Sequence, residues 1–366
     1  MRPVFSRALV SAFLGLITIS GSAWAKTSVA TIENQASALF QQGKYSEAFV
    51  NYQKGAKMGS PRSQTILGYM YATGKGTEKN PALALEWANR AAEQDDVEAQ
   101  NMLGYIYVNG AGTSPDYAHA LIWYGKAAQK GNAIAENNLG LLYYRGQGTP
   151  QDYPKAFAWF SRAAEQGFEA AQNNLGSMYF TGVGVAQDYT KALEWLTKAA
   201  GQGNSKAEWN LGQMYANALG VPRDYSQAIA WYTRAAEHQL AAAQVDLGVM
   251  YFNGLGATRD YAQAIAWFSK AAAQSSAAAQ ANLGVMYLKG LGVSPDKAKA
   301  REWLQQAALQ QNAKARRWLA TIDTETTPTS IQSASIAQGS FVRSAGADET
   351  GEMRNTQADR GFANLR

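Results

Sequence analysis

The 366-residue chain has no cysteine and only two histidines, His119 and His238. Without cysteine there are no disulfides, no thiolate metal sites and no cysteine nucleophile, so the fold stands on packing alone. With two isolated imidazoles, acid–base catalysis lacks its commonest residue, and neither histidine has a partner visible in the sequence. Charged residues make up 17% of the chain and no block of Lys or Arg occurs, so the formal charge of +5 leaves no nucleic-acid footprint. The excess of cations suits, at most, a weak attraction to anionic cell-wall material. Long apolar runs are also missing: the one candidate, residues 8–19, is too short to span a bilayer comfortably.

What is present is a period. Leu-Gly recurs at Leu67-Gly68, Leu103-Gly104, Leu139-Gly140, Leu175-Gly176, Leu211-Gly212, Leu247-Gly248 and Leu283-Gly284, each copy 36 residues after the last. A fixed repeat of this length predicts stacked supersecondary units that bury their apolar faces on one another. Tyr stands four residues after each Leu, from Tyr71 to Tyr287, and Ala four before it in six units, with Ser63 in the first. That spacing puts them on one face of a first helix, A. A Gly-x-Gly such as Gly74-Lys75-Gly76 ends helix A and is broken only at Ala218. Asn80, Asp116, Asp152, Asp188, Asp224, Asp260 and Asp296 are then placed to cap a second helix, B. Trp87, Trp123, Trp159, Trp195, Trp231, Trp267 and Trp303, with flanking alanines, form its expected buried face, the indole filling the gap between layers.

These residues, seen together in Ala171, Leu175-Gly176, Tyr179, Gly182, Gly184, Asp188-Tyr189, Ala192, Trp195, Ala199-Ala200 and Gly203, resemble the Sel-one-like repeat (SLR) family, relatives of the tetratricopeptide repeats. The resemblance implies an all-α fold, a right-handed α-solenoid of stacked helix-turn-helix units, over seven copies at residues 61–314. The closing Gly is replaced by Asp95, Gln239, Ser275 and Gln311, which puts the turn geometry there in question. Some secreted family members carry a Cys pair in each repeat and are described as penicillin-binding or β-lactamase-like; the absence of cysteine weakens any transfer of that activity.

The flanks are different. Residues 1–25 read as a signal peptide, with Arg2 and Arg7 before the apolar run and Ala23-Trp24-Ala25 at the cleavage site. Export to the periplasm or beyond follows, with no integral membrane segment afterwards. Residues 26–60, with Phe40, Gly43, Tyr45 and Tyr52, suggest a tetratricopeptide-type capping hairpin, and 315–322 a C-terminal capping helix. From 323 to 366 the composition is that of a disordered tail, inert or a tether.

No catalytic motif, cofactor cradle or metal-ligand cluster stands where its mechanism needs it, so the expected chain is a non-enzymatic, monomeric adaptor without cofactor. By analogy with tetratricopeptide repeats, helix A lines the concave surface. Candidate partner-binding residues there are Tyr69, Asn101, Tyr105, Asn137, Asn138, Tyr144, Arg145, Asn173, Asn174, Phe180, Trp209, Asn210 and Asn282. Asparagine both donates and accepts, which suits an extended peptide backbone or a carboxylate, and aromatics with an arginine suit a protein interface. The same residues could instead bond between hairpins or pack on the next helix. The expected partner is a protein of the periplasm or cell surface, or a cell-wall component, and not nucleic acid.

Overall fold

A computed structural model describes residues 28–110 and 114–324, so the expected signal peptide and nearly all of the tail lie outside the described residues. Among the described residues there are seventeen helices and no strand. A leading hairpin, α1 (Val29–Gln41) and α2 (Tyr45–Lys57), precedes seven A–B pairs. These are α3 (Pro61–Thr73) with α4 (Pro81–Glu93), α5 (Val97–Asn109) with α6 (Tyr117–Gln129), α7 (Ala133–Arg145) with α8 (Tyr153–Glu165) and α9 (Glu169–Thr181) with α10 (Tyr189–Gly201). There follow α11 (Ser205–Asn217) with α12 (Tyr225–Glu237), α13 (Ala241–Asn253) with α14 (Tyr261–Ala273), and α15 (Ala277–Lys289) with α16 (Lys297–Leu309). A single helix, α17 (Ala313–Thr324), ends the series; it is longer than the expected 315–322 because Asn312 Oδ1 accepts from Ala315 N at 2.9 Å and starts it earlier.

The chain divides into two compact units, with the boundary between Ala171 and Gln172, inside α9. In the first, α1 to α8 pack each on the next in chain order; in the second, α10 to α17 do the same. Helices A of neighbouring repeats also touch, α3 on α5 and α5 on α7, which defines a continuous A layer in the first unit; in the second, α15 touches the terminal α17 and one side-chain bond joins α11 to α13.

The local chemistry is repeated. Each A helix runs into a loop that returns by one backbone bond, from the cap residue's N–H to the C=O of the repeat tyrosine: Asp152 N to Tyr143 O and Asp260 N to Tyr251 O, both 2.9 Å. The cap side chain then accepts from the first turn of helix B, as Asp152 Oδ1 does from Lys155 N at 2.9 Å. The second glycine of the Gly-x-Gly is needed twice over. Gly148 has φ +73°, and a Cβ there would lie 2.6 Å from the backbone of Tyr117 in the preceding repeat. Where the turn after helix B lacks glycine, the left-handed conformation is kept: Asp95, Gln239, Ser275 and Gln311 have φ between 62° and 68°. Ala218 likewise takes φ 59°. The turn geometry questioned from sequence is therefore unchanged, at the cost of left-handed strain in non-glycine residues.

The role expected of tryptophan needs correction. The fully buried large side chain of helix B is the residue after it: Tyr124, Phe160, Leu196, Phe268 and Leu304. Each sits on the glycine of Leu-Gly; a Cβ on Gly104 would lie 2.5 Å from the Tyr124 ring, and one on Gly248 2.6 Å from Phe268. The first repeat has only Ala88 at this position, and there Met102 from the next A helix fills the space over Gly68. The indoles, apart from the buried Trp87, are half-buried. A cation three residues on covers all of these but Trp303, which has Gln306 there: Lys126 at 4.0 Å from Trp123, Arg162 at 4.7 Å from Trp159 and Lys270 at 3.8 Å from Trp267.

Candidate interaction face of helix A

Most of the expected asparagine ladder is buried in the A layer. Asn101, Asn137, Asn173, Asn174 and Asn282 are at most 5% exposed, and Asn138 is 8% exposed. Asn137 Nδ2 donates to Asn138 Oδ1 at 3.4 Å, and a further side-chain hydrogen bond joins Asn138 to the Tyr124 hydroxyl. Burial pushes that hydroxyl's pKa far up, so Tyr124 is a neutral phenol at any ordinary pH. Asn210 is half-buried and donates to Ser177 Oγ at 3.3 Å. Asn101 Oδ1 and Asn173 Oδ1 are buried acceptors without a hydrogen-bond partner.

The aromatic candidates have neighbours of their own. Tyr69 is buried and its hydroxyl accepts from Lys75 Nζ at 3.1 Å; the ammonium lies 5.4 to 5.7 Å from the rings of Phe40, Tyr45 and Tyr69. That cage fastens the loop of the first repeat to the leading hairpin. Tyr144 meets Tyr153 edge-on at 5.0 Å, and Phe180 meets Tyr189 at 5.7 Å. Trp209 Nε1 donates to Asp246 Oδ2 at 2.8 Å, tying two successive A helices of the second unit. Tyr105 and Arg145 remain half-exposed in the first unit. Arg145, Asn138, Gln147, Tyr124 and Leu141 share a small cavity between α5, α6 and α7.

Both histidines have carboxylate partners that spacing did not reveal. His119 Nδ1 lies 2.6 Å from Asp116 Oδ2, and its ring stacks on Tyr107 at 5.1 Å. It takes the place of lysines that elsewhere pair with the cap aspartate and lie over the repeat tyrosine, as Lys155 does with Asp152 and Tyr143. His238 Nδ1 lies 2.9 Å from the buried Glu208.

That second contact belongs to a clamp the sequence reading missed. Three residues before each Leu stands Gln or Glu, and the residue just after helix B bonds to it: Gln94 to Gln64 at 2.8 Å, Gln166 to Glu136 at 2.7 Å, Gln202 to Gln172 at 2.8 Å and Gln274 to Gln244 at 2.9 Å. Glu136 is fully buried and also meets Arg162 at 2.9 Å. Its carboxyl is nonetheless held above the usual range, because burial outweighs Arg162 and Gln166. The second repeat breaks the clamp. Lys130 turns instead to Asp95, and Gln100 Oε1 is left without a partner. The signal lay in the sequence as a column of Gln or Glu, but such a column reads equally as a solvated helix face.

Among the described residues no group of three or more His, Asp or Glu could hold a metal ion, and no helix is long and apolar enough to cross a membrane. The arrangement is one of packing, caps and paired amides.

Comparison with known proteins agrees with this architecture. The Sel1 repeat family matches seven times, at residues 61–96, 97–132, 133–168, 169–204, 205–240, 241–276 and 277–312. No relative was found among curated proteins. Among solved structures the chain is similar to c5321, a protective antigen present in uropathogenic Escherichia coli strains and displaying an SLR fold, with 39% identity and a TM-score of 0.67. The match covers 76% of this chain but only 60% of that one. It is similar also to a Sel1 repeat protein from Oxalobacter formigenes, with 33% identity, a TM-score of 0.63, and 86% and 99% of the two chains covered. Seven matched repeats, the all-helical stack and these neighbours together make the chain a member of the Sel1 repeat family.

Proposed function

We propose that this protein is an exported, non-catalytic adaptor of the bacterial envelope whose A layer receives an extended segment of a partner protein. One observation carries the reading. The positions fixed from repeat to repeat are consumed by stacking, capping and loop closure, whereas the positions flanking Leu-Gly on helix A change from repeat to repeat and present Tyr105 and Arg145 half-exposed in the first unit. Variation on a rigid frame is how repeat proteins encode partners. Export rests on the charged, apolar and small-residue pattern of residues 1–25. The similarity to a protective antigen is consistent with a role at the cell surface.

The test is affinity capture with the purified chain and with a Tyr105→Ala, Arg145→Ala variant that keeps the wild-type melting temperature. The adaptor reading expects a partner retained by the first and lost by the second. Equal retention by both places recognition elsewhere, and turnover of a chromogenic cephalosporin by the purified chain would replace the reading with an enzymatic one.

A further inference from the structure

We infer that the cavity between α5, α6 and α7 reads one acidic side chain of the bound partner segment, a refinement that rests on the adaptor reading. Arg145 brings a guanidinium, Asn138 and Gln147 amides and Tyr124 a phenol already bonded to Asn138, while Val108, Leu141 and Leu142 complete the wall. No carboxylate lines it. Apolar walls beside a cation lower the local dielectric and strengthen a charge-assisted bond to an entering anion.

Charge on the surrounding face has the same sign. At the positions two and one before Leu, and two, five and six after it, α3, α5 and α7 carry no Asp or Glu, and Arg145 is the lone cation. The nearest carboxylate on α7, Glu136, is engaged by Arg162 and Gln166 at the hairpin clamp. The cavity has room for about one water-sized oxygen. A carboxylate inserts one oxygen and leaves the other for the guanidinium, whereas a phosphate or sulfate brings too many. The source is an internal Asp or Glu side chain, whose carboxylate stands out from the segment's backbone and so reaches a recess of one-oxygen size; a C-terminal carboxylate is the alternative outcome of the test.

The experiment is selection from random segments of about a dozen residues, displayed in one library with flanking sequence on both sides and in another with a free C-terminus. The full chain, Arg145→Gln and Arg145→Lys are the baits, each first checked for an unchanged melting temperature. Wild type is expected to enrich Asp or Glu at one internal register by about 10-fold, the worth of one charge-assisted hydrogen bond. Arg145→Gln should return that register to its input frequency, and Arg145→Lys should keep part of the enrichment. Acidic enrichment that survives Arg145→Gln overturns the assignment. Enriched segments without an acidic register refute the cavity's role while leaving the adaptor reading intact. Enrichment confined to free C-termini refutes the side-chain source, and no enrichment from either library counts against both inferences.

Discussion

Replacing Glu136 by Gln should stabilise the first unit at neutral pH although it removes an ion pair. Glu136 is fully buried, whereas Arg162 is half in solvent, its side chain 50% exposed at 2.9 Å. Contact attraction for such a pair is gross, about 4 kcal/mol at 4 Å with an effective dielectric constant near 20. Burying the carboxylate costs several kcal/mol, and solvent around Arg162 screens the gain. The raised carboxyl pKa says which side wins, since burial is its largest cause. A carboxyl raised in the folded state adds stability below its unfolded value and loses it as pH climbs through the folded value. Glutamine keeps the bond from Gln166, as the Gln–Gln pairs of other repeats show at 2.8 to 2.9 Å. The expected gain is about 1 kcal/mol, or about 2 °C in melting temperature at pH 8, shrinking towards zero near pH 4. Thermal melts of both proteins across that range are the assay. A lower melting temperature for Glu136→Gln at pH 8, or a difference that grows on acidification, would refute the reasoning.

Three further substitutions probe the frame. Gly104→Ala pushes a methyl to 2.5 Å from the fully buried Tyr124 ring and should cost about 1 to 3 kcal/mol, seen as a lower denaturant midpoint; an unchanged midpoint contradicts the packing argument. Lys130→Gln supplies a donor to the unpartnered Gln100 Oε1 in exchange for an exposed ion pair with Asp95. It should raise the denaturant midpoint slightly, and a lower midpoint would show that the clamp is worth less than the contacts of Lys130 with Asp95. Trp209→Phe removes the 2.8 Å bond to buried Asp246 and should cost about 1 to 3 kcal/mol, read as faster hydrogen exchange in α11 and α13; unchanged exchange would mean the bond does not join them.

The frame was legible because each of its residues answers a local demand that recurs every 36 positions. A cap needs Asp, a left-handed turn favours Gly, and a helix face needs Leu and Tyr at fixed spacing. Contacts between columns were less legible. That Gly104 makes room for Tyr124, or that Met102 stands in for the ring missing at Ala88, depends on side chains brought together by the hairpin, and neither residue announces its partner. Met102 stands in the column that holds Asn138 and Asn174 in later repeats, yet it is core packing. The tryptophans were assigned to the interior on hydrophobicity, and the Lys or Arg three residues on, which covers the outer face of every repeat indole but Trp303, went unused. The asparagine column was visible, yet not whether its amides face a ligand or one another, because that depends on how closely α5, α7 and their neighbours approach.

The central claim, recognition of a partner on the A layer, is tested most directly by site-specific photo-cross-linking in living cells. A photoreactive residue replaces Tyr105 on α5 in one protein and the exposed Ile122 on α6 in another. The account predicts one discrete adduct from position 105, abolished when Arg145→Gln is added, and none from position 122. An adduct from 122 alone, or none from 105, would contradict it, and one from 105 indifferent to Arg145 would refute only the acidic-side-chain assignment.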